Sequence, residues 1–144
     1  MQQQQRAKSS SSSMNSEGTQ VGPLKATLII TNNLGTQLTL VNAVLEQGEW
    51  DNNAKPPAQI DPGGTGTIIA TSPLIGESGI VGDVLYQAES DGAPIVFAFR
   101  VPFGKPFPNQ ASIGQLPPSN LLLSVTPVEP FDPQISPVYT VSPQ

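Results

Sequence analysis

Cysteine and histidine are both missing from the 144 residues. Without cysteine no disulfide can brace the fold, and without either residue the usual zinc ligand sets are out of reach. Nucleophilic catalysis by a Ser-His or Cys-His pair is excluded for the same reason. Bases are scarce too. From Ala26 onward only Lys55, Arg100 and Lys105 stand against ten carboxylates, a net charge of about −7 for that part of the chain. Such a surface repels phosphate backbones, so nucleic acid is not an expected partner, and attraction to anionic lipid by bulk charge is equally unfavourable. No stretch approaches the roughly 18 apolar residues of a membrane-spanning helix. The N-terminal stretch has neither the apolar middle nor the small-residue cleavage site of a signal peptide, and no Asn-x-Ser/Thr acceptor occurs. The expectation is a protein made in soluble form in the cytoplasm, and peripheral on a membrane if it meets one.

What is abundant is punctuation. Sixteen prolines and thirteen glycines cut the chain into short pieces, none with a sustained helical period. Residues 1–22 consist largely of Gln and Ser runs with almost nothing to bury, the composition of a disordered arm. Residues 23–144 are read as one domain, a length that can bury roughly two-thirds of its unfolded surface. Within it "KATLIIT" is a short β-branched strand, and "TQLTLVNAVL" alternates with Leu38 and Leu40 on one face. The apolar phase then moves to Val41, Ala43 and Leu45, which predicts a β-bulge near Leu40. "GTIIA" follows the turn "DPGG". In "VGDVLYQAES" Val84, Tyr86 and Ala88 share a face, and after the hairpin signal "SDGAP" the run "IVFAFRV" aligns Ile95, Phe97, Phe99 and Val101. "LLLSVT" and "VYTV" supply late strands. Ten prolines lie from Pro102 onward, and Pro127, Pro130, Pro133 and Pro137 should hold the C-terminal segment extended or at a sheet edge. Short strands at roughly 8–12-residue spacing predict an all-β, antiparallel two-sheet sandwich over residues 25–141.

Little in the chain suits catalysis. Glu46, Glu49 and Asp51 cluster near Trp50, a pattern that fits a solvated acidic hairpin end better than a glycosidase pair. "DPGGTGT" leads into a strand without a following Lys-Ser/Thr, so it is not a phosphate loop, and no calcium-loop spacing occurs. No enzyme, cofactor or metal is expected. The aromatic residues are more informative. Phe97, Phe99 and Tyr86 belong to core faces. Trp50 in "QGEWDNN" has polar neighbours, and "RVPFGKPFPN" places Phe103 and Phe107 after prolines that end a strand. Each of these three rings has two readings: folded back over the edge of the core, or forming an amphipathic rim suited to the interfacial layer of a bilayer.

The segments "IITNNLGTQLTLVNAVLEQGEWDNN", "GESGIVGDVLYQAESDG" and "IVFAFRVPFGKPFPN" occur in the order seen in the aegerolysin family. The chain resembles that family over residues 25–107. Carried over by position, Asn32, Asn33 and Gly35 match the family's Asn-Asn-x-Gly turn, Trp50 matches a Gly-x-Trp tryptophan, and Pro102, Phe103 and Gly104 match a Pro-aromatic-Gly turn. The Gln/Ser-rich arm and the single tryptophan depart from the family's pattern. The resemblance implies a small acidic β-sandwich that binds membrane lipids, notably neutral or zwitterionic sphingolipids. It also implies a larger perforin-like protein as pore-forming partner, as in two-component cytolysins and binary insecticidal toxins. The lipid-contacting set is then Trp50, Phe103, Lys105 and Phe107, with Gly104 at positive φ and Lys105 reaching a lipid phosphate. The alternative from another class is a soluble structural or interaction domain that has lost lipid binding and forms homo-oligomers through an exposed sheet edge.

Overall fold

The structure, a computed structural model, describes residues 23–72, 78–89, 92–104, 107–117 and 120–144. The Gln/Ser-rich arm, Ser90 and Asp91 of the hairpin signal, and Lys105 lie outside the described residues. The described chain is all β. One sheet contains β1 (Leu24–Asn32), β3 (Glu49–Trp50), β5 (Thr65–Ser72), β9 (Leu121–Val125), β10 (Gln134–Ile135) and β11 (Val138–Pro143). Its order is β3-β5-β1-β11-β9, with β10 also beside β1. The other contains β2 (Leu38–Gln47), β4 (Gln59–Ile60), β6 (Ile80–Ala88), β7 (Pro94–Val101) and β8 (Gln110–Gln115), in the order β4-β2-β6-β7-β8.

The two sheets face each other across one core, as strands with alternating apolar residues require. Leu24, Ala26, Leu28 and Ile30 of β1 point inward, opposite Ile95, Phe97, Phe99 and Val101 of β7. At the centre Phe97 meets two tyrosines in edge-to-face contacts, with ring centroids 5.9 Å from Tyr86 and 5.4 Å from Tyr139. Both hydroxyls find carbonyls. Tyr86 donates to Pro57 O at 2.6 Å, and Tyr139 of one sheet donates to Ala98 O of the other at 2.7 Å. A buried phenol needs such an acceptor to offset its lost hydration.

The sandwich differs from a purely antiparallel one at a single seam. β1 pairs in parallel with β10 and β11, Ile29 facing Val138 and Asn32 facing Val141. Parallel neighbours need a long connection, and here the whole intervening chain provides it. β11 therefore lies inside its sheet, between β1 and β9, not at the edge. Pro133 and Pro137 fall just outside β10 and β11, where they need no donor, and their carbonyls accept from Lys25 N and Ile29 N at 3.0 Å each. The bulge near Leu40 is present, because Leu40 faces Tyr86 while Asn42 faces Leu85. Val41 is the extra residue, however, and is 49% exposed, so only Ala43 and Leu45 of the shifted phase pack on the core. β8 was not legible as a strand. Its sequence "QASIGQ" has only weak alternation, and pairing with β7 forms it.

Candidate functional site

At one end of the sandwich several strand ends meet. β6 begins where β7 stops, with Ile80 facing Val101, and β8 begins with Gln110 facing Arg100. In the other sheet the start of β1 meets the end of β5, Leu24 facing Ser72. The Ser72 hydroxyl donates to Ser78 O at 2.7 Å, so the end of β5 is held to the residues that lead into β6.

Three exposed rings crown this end. Pro102 has no N–H and cannot extend the β7 ladder, so the chain turns. Gly104 adopts φ 76°, a left-handed conformation that glycine takes without steric cost. Gly79 runs flush beneath the turn: a Cβ there would sit 2.5 Å from Val101 O and 3.0 Å from Phe103 N. Phe103 is thus held by backbone against backbone, and it remains 42% exposed. Phe107 is 61% exposed, and neither ring belongs to the core cluster. The third ring, Phe131, is 52% exposed and comes from the excursion of residues 126–133 between β9 and β10.

A buried asparagine ties that excursion to the Phe107 loop. Asn109 N donates to Pro130 O at 2.7 Å, and its side-chain amide donates to Glu129 O at 2.8 Å and Asp132 O at 2.7 Å. Phe131 lies between those acceptors in sequence, and Phe107 lies two residues before the donor. Asn109 therefore ties the backbone that carries Phe131 to the segment that follows Phe107.

Trp50 sits differently. It is half-buried on the edge strand β3, faces Ala70 across the ladder, and tilts at 53° against Phe99 with centroids 6.1 Å apart. Its polar neighbours in the sequence are not its packing neighbour: Phe99 belongs to the opposite sheet, which sequence order conceals. Trp50 closes the edge of the core, two residues back along β7 from the end that carries Phe103.

The other turn residues lie at the opposite end. Asn32 is fully buried; its side-chain amide donates to Thr36 O at 2.9 Å and to Ile60 O and Asp61 O at 3.1 Å each, while its Oδ1 accepts from Leu34 N. Asn33 bonds to Val141 O through its backbone N–H and to Ser142 through its side chain, and Gly35 has open space around it. These residues clamp the turn and take no part in the aromatic end.

Two residues of this end escaped sequence reasoning. Asn109 has partners twenty or more residues away, and no local signal marks it. Phe131 did carry one. All three exposed phenylalanines follow a proline, in Pro102-Phe103, Pro106-Phe107 and Pro130-Phe131, whereas the core pair Phe97 and Phe99 follow Val96 and Ala98. Among the described residues no cluster of three or more His, Cys, Asp or Glu could hold a metal, and no helix is long and apolar enough to cross a membrane.

The sequence matches no protein-family model and no curated protein. Solved structures do share its fold. The lipid binding protein Nakanori is 12% identical with a TM-score of 0.66, over 83% of this chain and 71% of that one. RahU, solved in complex with a TRIS molecule, is 10% identical with a TM-score of 0.64, over 85% and 95%. IP-1A from Alcaligenes faecalis is 12% identical with a TM-score of 0.68, over 86% and 94%.

Proposed function

We propose that this chain is a non-enzymatic, aegerolysin-type protein that docks on lipid membranes through Phe103, Phe107 and Phe131, with Trp50 bracing the base of that rim. The observation that carries the reading is the collection of three exposed, proline-preceded phenylalanines at one end of a sandwich whose fold is shared with a lipid binding protein. Apolar rings on a rigid end supply the driving force that an acidic surface cannot supply by charge. A Phe side chain presents on the order of 200 Å². The exposed part of Phe107 alone could contribute up to about 3 kcal/mol on entering an apolar layer. Neutral or zwitterionic sphingolipids are the proposed targets, and a perforin-like protein would make any pore.

The test is co-sedimentation with vesicles of phosphatidylcholine, sphingomyelin or ceramide phosphoethanolamine. The triple variant Phe103→Ala, Phe107→Ala, Phe131→Ala should keep its melting temperature and lose vesicle binding. A lowered melting temperature with unchanged binding would make the rings structural and refute the rim. Edge strand β9, with Leu122 exposed, supports a second reading in which copies associate through that edge. Sedimentation equilibrium, with Leu122→Lys as the disrupting variant, addresses it.

A further inference from the structure

The outer face of the β2-β6-β7-β8 sheet carries a shallow groove of about 230 Å³ whose lining is sorted by charge. Phe97, Phe99 and Val101 of β7 face the core, so Ala98 and Arg100 between them face outward. On the β8 side, Gln110 stands opposite Arg100 and Ser112 stands opposite Ala98. On the β6 side, Asp83 stands opposite Ala98 and hence diagonal to Arg100. Glu46 of β2 forms the far wall. Hydrogen-bond donors and the one cation therefore occupy β7 and β8, carboxylates occupy β2 and β6, and small Ala98 lies between them. Diagonal neighbours in an antiparallel pair are about 7–8 Å apart, a span that an arginine side chain can cross but that the backbone does not close for it. Arg100 in fact makes no ion pair among the described residues. In a chain with so few bases, an unpaired arginine facing two carboxylates across a groove leaves both charges available to a ligand.

We propose that this groove binds a phosphate–ammonium zwitterion, the phosphocholine or phosphoethanolamine group, with phosphate on Arg100 and Ser112 and ammonium towards Asp83 and Glu46. The placement agrees with the rim. Arg100 is one residue from the end of β7, and Asp83 stands two residues, or about 6–7 Å, further from that end along the strand direction. A headgroup whose lipid enters the bilayer beside the phenylalanines would present its phosphate first and its ammonium beyond it. The inference rests on the reading that this end meets lipid, but its chemistry can be tested without a membrane.

The experiment is a heteronuclear NMR titration of the full chain with soluble phosphocholine, and separately with inorganic phosphate and with choline. Phosphocholine should shift amides around Asp83, Ala98, Arg100 and Ser112 and bind more tightly than either half alone. Arg100→Gln and Asp83→Asn, both surface changes, should each weaken it by about tenfold, the loss of one charge-assisted contact. Phosphate binding as tightly as phosphocholine, shifts confined to another region, or an Arg100→Gln titration like that of the parent would each overturn the proposal. A vesicle arm identifies the source of the group. Loss of preference for phosphatidylcholine over phosphatidylglycerol in Arg100→Gln supports a lipid headgroup in the groove. An intact phosphocholine titration with no vesicle binding supports a soluble ligand, and refutes the membrane rim while leaving the groove standing.

Discussion

Replacing Asn109 by alanine removes two side-chain hydrogen bonds and leaves the backbone bond from Asn109 N to Pro130 O in place. The amide is buried, so Glu129 O and Asp132 O lose their donor in a setting with limited water. A typical intramolecular hydrogen bond contributes about 0.5–1.5 kcal/mol net, and a buried acceptor left unmatched costs about 1–3 kcal/mol. The loss should therefore fall at about 2–3 kcal/mol. If it is felt globally, a domain of this size should melt roughly 6–12 °C lower. If it is local, residues 126–133 should detach first: their amides would exchange faster while those of β7 stay protected. Differential scanning calorimetry and hydrogen exchange separate the two outcomes. In either case Phe131 loses its fixed position relative to Phe107, and vesicle affinity should fall although no ring has been changed. Unchanged melting temperature and unchanged exchange at residues 126–133 would refute the assignment of Asn109 as the tie between these loops.

Two further outcomes follow from other buried groups. Asn32→Asp keeps the side-chain shape but turns a donor facing three carbonyl oxygens into an acceptor, so it should cost at least about 3–5 kcal/mol and exceed Asn109→Ala in urea denaturation. Burial pushes the hydroxyls of both tyrosines, Tyr86 and Tyr139, above the usual phenol range. Their contribution is intact below the unfolded-state pKa of about 10 and is lost as pH rises above it, by up to about 1.4 kcal/mol per tyrosine per pH unit. Ultraviolet absorbance should show no tyrosinate in the folded protein until alkaline unfolding begins; a tyrosinate signal near pH 10 in protein that is still folded would contradict this burial.

Alternation made much of the fold legible. Every inward residue assigned to β7, and Val84, Tyr86 and Ala88 of β6, face the core, because a period-2 pattern in a half-buried strand has one satisfactory orientation. Pairing between distant segments was not legible. The parallel seam of β1 with β11 and the formation of β8 depend on neighbours that local pattern does not encode. Position and environment divided in the same way at the aromatic end. The turn at Pro102 and Gly104 followed from residue type, whereas Trp50 against Phe99 and the Asn109 tie are contacts across the fold.

The seam between β1 and β11 bears on the order of events during synthesis. β1 can find β5 about forty residues later, but its other edge stays open until the last strand emerges, more than a hundred residues after it. For that interval a nascent chain displays one free edge of a strand whose inner face is apolar from Leu24 to Ile30, the kind of template to which another chain can add. Closing the seam brings together residues far apart in sequence, which slows folding of sheets in general. The strand that completes the sheet is also the one whose Tyr139 hydroxyl reaches across to β7. Arrival of that last segment thus ends the exposure of β1 and locks the two sheets in a single step.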